Sequence, residues 1–406
     1  MVKRNENMAR LVAGYLFPEI NRRKLEFVKN NPDARIISLG IGNTTEPITP
    51  RVLAGLHDEV SALGTRAGYS GYGDEQGITR FRQLIAEKLY HNIVKGEEVF
   101  ISDGAKCDIG RLQTMFGNQV TIAVQDPSYP VYVDGSVIAG VTGDFDPERG
   151  QFDKIIYMKC LPENDFFPDL QALPRTDLIY FCSPNNPTGA VATKQQLKSL
   201  IDFARKNRSI IIYDAAYSEY ISDSSLPKSI FEIEGAREVA IEVNSFSKPI
   251  GFTGIRLGWT VVPDQLKFDD GTPVRNDWNR IMTTIFNGAS NIAQYGGMAA
   301  LEEQGFQEMR ETIAYYMKNA RLIKKTLDHK GIITYGGLNA PYVWASFPGR
   351  KSWDVFSEIL EKCHIVTTPG SGFGPAGEGF VRFSAFGHHE DFAEAAKRLE
   401  NWQVQK

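Results

Sequence analysis

Three apolar runs in the middle of the chain each end in a polar cluster, and this repeat limits the fold more than any other feature. Asp177-Leu-Ile-Tyr-Phe-Cys182 leads into Ser183-Pro-Asn-Asn-Pro-Thr-Gly189. Ser209-Ile-Ile-Ile-Tyr213 leads into Asp214-Ala-Ala-Tyr-Ser-Glu-Tyr220, and Val239-Ala-Ile-Glu-Val243 leads into Asn244-Ser-Phe-Ser-Lys248. An earlier run, Val120-Thr-Ile-Ala-Val124, precedes Gln125-Asp-Pro-Ser-Tyr-Pro130 in the same way. Short continuous apolar runs separated by helical patterns describe buried strands of a mostly parallel sheet with crossover helices, an α/β fold. In such sheets ligands sit beyond the carboxyl ends of the strands, so these polar clusters are expected to build one site.

Thr193-Lys-Gln-Gln196 has the pattern of a capping box, and Leu197, Leu200, Ile201 and Ala204 then recur at helical spacing. Residues 261–277 are expected to form an exposed excursion, and residues 278–330 long helices, one of them over 306–329. Strands are expected at 340–347, 364–368 and 379–385. The chain thus divides into an N-terminal arm with part of a small domain (1–48), a large domain (49–295) and a small α+β domain (296–406).

Net charge is -4 over 406 residues, which gives no reason to expect a nucleic-acid partner. No apolar run reaches the roughly 20 residues needed to span a bilayer. The N-terminus reads poorly as a signal peptide, because its apolar stretch is short and meets Pro18. The four cysteines are scattered without a CxxC pair, so neither a disulfide framework nor a metal site is expected. The expected location is the cytoplasm.

The strongest local signal is Ser245-Phe-Ser-Lys-Pro-Ile-Gly-Phe-Thr-Gly-Ile-Arg-Leu-Gly-Trp259. A lysine on a loop after a buried strand can form an imine with an aldehyde cofactor, and nearby hydroxyls with Arg256 can bind a phosphate. Gly372-Phe-Gly-Pro-Ala-Gly377 satisfies the G-x-G-x-x-G dinucleotide pattern. That pattern needs a strand before it and a helix after it, whereas here Pro375 interrupts the loop and a strand follows. A nicotinamide cofactor is therefore rejected.

The Ser245–Trp259 string resembles the S-x-S-K…G-x-R-x-G motif of fold-type I aminotransferases, whose lysine carries pyridoxal 5'-phosphate. Asn186-Pro-Thr-Gly189, Asp214-x-x-Tyr217 and Val381-Arg-Phe-Ser384 continue the resemblance in order along nearly the whole chain. It implies an aspartate-aminotransferase-like fold with Lys248 as the imine-forming base. Asp214 would hold the pyridine nitrogen protonated, while Asn186 and Tyr217 would bind the phenolic oxygen. Ser245, Ser247, Arg256 and the helix start at Ala105 and Lys106 would hold the phosphate. Tyr129 would lie over the cofactor face, and Arg382 would clamp the substrate's α-carboxylate. Tyr72 resembles a tyrosine that reaches the partner subunit's phosphate, which implies a homodimer with shared active sites.

Asn7–Phe17, Ser38–Pro47 and Phe286–Gln294 further resemble the LL-diaminopimelate aminotransferases. These move an amino group between LL-2,6-diaminopimelate and 2-oxoglutarate in lysine and cell-wall precursor biosynthesis. The resemblance implies that Tyr15, Gly42, Lys106 and Asn287 meet the distal end of the substrate, with Tyr15, Tyr72 and Asn287 supplied by the partner. Other aminotransferases, carbon–sulfur lyases and α-synthases on this fold share the cofactor motifs and remain alternatives. A non-catalytic regulator would need a nucleic-acid-binding segment, for which the sequence offers neither spare length nor a basic patch.

Overall fold

The computed structural model describes residues 1–11 and 16–404. Its centre is a seven-stranded sheet of Val99–Ser102 (β1), Ile122–Asp126 (β2), Ile155–Lys159 (β3), Leu178–Cys182 (β4), Ile210–Asp214 (β5), Ala240–Ser245 (β6) and Gly258–Val261 (β7). The spatial order is β1-β7-β6-β5-β4-β2-β3. Neighbours pair parallel except β7, which runs antiparallel to both β1 and β6. All five residues of β4 are buried, as expected of a strand covered on both faces. The four apolar runs singled out in the sequence became β2, β4, β5 and β6.

Helices cover the sheet, and three of them matter for the site. The first, Ala105–Phe116 (α1), follows β1. The second, Lys194–Asn207 (α2), starts at the expected capping box: the Gln196 N–H donates to Thr193 Oγ1 at 3.2 Å, and the Thr193 N–H donates to Gln196 Oε1 at 2.8 Å. The third, Val274–Ile281 (α3), runs directly into a π-turn over Met282–Phe286. A helix of 27 residues, Glu303–His329, matches the long helix expected near 306–329.

The C-terminal part forms a four-stranded sheet in the order Thr334–Gly336 (β8), Tyr342–Ser346 (β9), Phe380–Ser384 (β11) and Thr368–Pro369 (β10). The N-terminal segment joins it: Ile37–Ser38 pairs parallel with Ile365–Val366, and the Ser384 N–H donates to the Leu39 carbonyl at 2.7 Å. The G-x-G-x-x-G string lies in two short 3-10 turns that lead into β11, so no helix N-terminus is aimed at a ligand there.

Segment 261–277 corrects the expectation of a wholly exposed excursion. Leu266 and Val274 are fully buried, and a bridge between Lys267 and Pro273 closes the polar tip between them. Two apolar anchors thus hold a charged turn whose composition alone reads as solvent-facing. Among the described residues no helix is long and apolar enough to cross a membrane, and no His/Cys/Asp/Glu group could hold a metal ion.

Candidate active site

The carboxyl edge of the sheet opens into a cavity of about 560 Å³. Twelve residues singled out from the sequence line it: Gly42, Ala105, Lys106, Tyr129, Asn186, Asp214, Tyr217, Ser245, Ser247, Lys248, Arg256 and Arg382. They come from both ends of the chain, and the strand ends bring them together. Asp214 closes β5, Ser245 closes β6, and Arg382 is the middle residue of β11.

Lys248 donates from Nζ to the Gly42 carbonyl. Burial, then the positive charges of Arg382 and Arg256, lower its pKa to about 8. At neutral pH a useful fraction is therefore the neutral amine, the form that attacks a carbonyl or takes a proton. Capture of pyridoxal phosphate by cofactor-free protein should therefore speed up as pH rises through about 8 and level off above it. Stopped-flow absorbance across a pH series checks this, and a flat profile from pH 6 to 10 would contradict it.

Asp214 is fully buried, and its carboxylate accepts from the Tyr132 hydroxyl at 2.7 Å and from the Ala216 N–H at 3.1 Å. Burial pushes its pKa up, and those hydrogen bonds only partly oppose the push. A buried carboxylate in this state fits a cationic ring nitrogen, whose charge would restore the ionised form.

A cluster of donors suited to a phosphate lies at the start of α1. The first N–H groups of a helix have no intrahelical acceptor and favour an anion. Arg256 donates to Ser247 Oγ at 3.1 Å, and the Ser247 N–H donates to Ser245 Oγ at 3.0 Å, so arginine and hydroxyls form one network. Gly104 must be glycine: its φ is 121°, and a Cβ there would lie 2.4 Å from Arg256 Nη2. The donors, the amine and the buried carboxylate together fit pyridoxal phosphate.

Arg382 is buried and donates to Asn186 Oδ1 and to the Gly40 carbonyl, both at 2.6 Å. Its Nε is buried with no hydrogen-bond partner, a donor that an incoming carboxylate would satisfy. Its guanidinium stacks 4.5 Å from the Tyr342 ring centroid, and the Tyr342 hydroxyl lies 2.6 Å from that of Tyr217. Lysine cannot reproduce this fork and stack. Arg382→Lys is therefore expected to lower kcat/KM for the amino donor about 10- to 100-fold, measured by steady-state kinetics.

Tyr72 and Asn287 do not line this cavity, and Tyr15 lies outside the described residues. Tyr72 is 92% exposed, and Asn287 is exposed too. The fold nevertheless sets their loops side by side. Asn291 Nδ2 donates to Ser70 Oγ at 3.0 Å, and a Cβ on Gly288 would lie 3.3 Å from the Asp74 carbonyl. Tyr69 and Ile285 add exposed apolar surface to the same two loops.

Tyr132 and Tyr342 line the cavity and were not singled out from the sequence. Tyr132 lies three residues after Tyr129, at the start of the helix Val131–Ala139, and that spacing was the available signal. Tyr342 carries no local signal, because it reaches the cavity only through the position of β9. A Cβ on Gly42 would lie 2.6 Å from its hydroxyl, so the Tyr342 side chain packs directly on the Gly42 backbone.

Residues 34–399 match the family model described as aminotransferase class I and II. An LL-diaminopimelate aminotransferase of Protochlamydia amoebophila is 55% identical over 401 residues, covering 99% of this chain and 98% of the relative. A protein of Oryza sativa subsp. japonica named probable LL-diaminopimelate aminotransferase, chloroplastic, is 59% identical over 400 residues, covering 98% of this chain and 86% of the relative. A solved L,L-diaminopimelate aminotransferase from Chlamydomonas reinhardtii superposes with a TM-score of 0.95 at 59% identity, covering 98% of each chain. The chain is a pyridoxal-phosphate-dependent aminotransferase of aspartate-aminotransferase-like fold, and it belongs to the family of the LL-diaminopimelate aminotransferases.

Proposed function

We propose that the chain transfers an amino group between LL-2,6-diaminopimelate and 2-oxoglutarate, giving tetrahydrodipicolinate and glutamate. The observation that carries this reading is a cation in the cavity beyond Lys248, Arg256 and Arg382. Arg256 is engaged by the phosphate cradle and Arg382 serves one carboxylate, which leaves Lys106 for another. Both proposed substrates are dicarboxylic, so one site with two carboxylate partners serves both halves of the reaction. The names of the relatives, at 55–59% identity across nearly the whole chain, support the same substrate pair.

When bound, pyridoxal phosphate supplies an electron-withdrawing ring that takes up the electron pair released at the substrate α-carbon. The residues divide the remaining work. Asp214, steadied by Tyr132, would face the ring nitrogen, and Asn186 and Tyr217 would face the phenolic oxygen. Ser245, Ser247, Arg256 and the N–H groups of Ala105 and Lys106 would hold the phosphate, and Tyr129 would pack on the ring. Arg382 binds and orients the α-carboxylate, and Lys248 Nζ takes the α-proton.

The working unit we propose is a homodimer in which Tyr72 and Asn287, with Tyr15, complete the partner's site. Two exposed loops packed against each other, and outside the chain's own cavity, support this arrangement. We propose the cytoplasm as its location, consistent with four free cysteines. A donor panel with 2-oxoglutarate tests the substrate. Glutamate should form from the LL isomer, with little from the meso isomer, aspartate or aromatic amino acids. Glutamate from another donor alone would keep the fold and overturn the substrate.

A further inference from the structure

Phe286 ends the π-turn that continues α3, and Asn287 caps it. Wide turns of this kind recur at functional sites. Asn287 has φ of 71°, a left-handed conformation that asparagine adopts more readily than most residues. Its N–H donates to the Met282 carbonyl at 3.0 Å. Whatever holds residues 282–286 therefore sets where Asn287 is presented.

That support comes from α1. The Arg111 guanidinium lies 4.0 Å from the centroid of the Phe286 ring. The same guanidinium donates to Asp103 Oδ1 at 2.7 Å and to Asp108 Oδ1 at 3.0 Å. Asp108 is fully buried, and its other oxygen accepts from Thr260 Oγ1 on β7 at 2.7 Å. Asp103 and Asp108 bracket Gly104, Ala105 and Lys106, where the phosphate cradle begins. One arginine thus joins a subunit's own cofactor cradle to the turn that carries Asn287.

We propose that Arg111 is a positioning residue for the neighbouring active site, fixing through Phe286 the turn that offers Asn287 to the partner's substrate. This rests on the reading that Asn287 completes the partner's site. Arginine suits the task because its planar cation can stack on a ring face while its edge bonds two carboxylates, whereas a lysine ammonium is a point charge. The cofactor cradle of one site and the substrate contact of the other then share one rigid part.

The test uses Arg111→Lys, which keeps the charge between Asp103 and Asp108 but removes the stacked plane. KM for LL-diaminopimelate should rise about fivefold, with kcat and cofactor affinity changed less than about twofold. Phe286→Leu should move KM in the same direction. Hybrid dimers then locate the effect. Pairing an Arg111→Lys subunit with a Lys248→Ala subunit leaves one working site, served by an intact Arg111 across the interface, and its KM should be that of the unaltered enzyme. Placing both changes in one subunit opposite an unaltered one should give the raised KM. A defect that instead follows the subunit with the working site would overturn the proposal. Asn287→Gly, which keeps the left-handed turn and removes the side chain, separates the two layers. If it leaves KM unchanged, the reading of Asn287 fails; if it raises KM while Arg111→Lys does not, only the role of Arg111 fails.

Discussion

Replacing Lys248 with Ala is expected to lower turnover on the order of 10⁴-fold or more, while the protein still binds pyridoxal phosphate. A positioned general base contributes about 10² to 10⁴ in rate, and this lysine is also the group proposed to hold the cofactor covalently. The cradle of Ser245, Ser247, Arg256 and the α1 start does not involve Nζ, so binding should survive in part. Lys248→Arg separates basicity from charge. Its guanidinium stays protonated at any working pH, so it should be nearly as inactive as the alanine variant. Steady-state rates with absorbance spectra of the loaded proteins decide the matter. A Lys248→Ala protein turning over at near-normal rate would remove the lysine from the mechanism.

Asp214→Asn is expected to cost about 10² to 10³ in kcat, the range seen when one preorganised electrostatic partner is removed. The asparagine keeps the size of the side chain and can still meet Tyr132 and Ala216, so the fold should hold. What it loses is the negative charge proposed to face the ring nitrogen. Burial already drives Asp214 toward its neutral form. The ionised state therefore depends on a cation beside it, and the carboxylate and the ring nitrogen support each other's charge. The pH dependence of the loaded protein's spectrum should shift in Asp214→Asn while that of the Arg382→Lys variant does not. Equal kcat in Asp214→Asn and the unaltered protein would contradict this role.

Four of the seven strands were legible because they are buried on both faces and so read as unbroken apolar runs, with their polar ends following in sequence. Leu178–Cys182, Ile210–Asp214 and Ala240–Ser245 each deliver their last residue to the cavity. The capping box at Thr193 was legible because it is a local device of four residues. Tyr342 was not, because its approach to Tyr217 spans 125 positions and depends on how two sheets pack. The buried anchors of segment 261–277 were hidden by the charged tip between them. The π-turn before Asn287 has no period of its own in the sequence. The neighbourhood of Tyr72 and Asn287 also had to come from the fold, since local pattern carries no information about loops so far apart.

If nitrogen passes from diaminopimelate to 2-oxoglutarate at the site of Lys248, a nitrogen label follows that atom directly. LL-diaminopimelate labelled with ¹⁵N would be incubated with the loaded enzyme and 2-oxoglutarate, and the products resolved by mass spectrometry. Labelled glutamate should form in step with loss of the donor, with no free labelled ammonium and no sustained donor loss when 2-oxoglutarate is left out. Labelled ammonium released without 2-oxoglutarate would contradict it and place elimination chemistry on this fold instead.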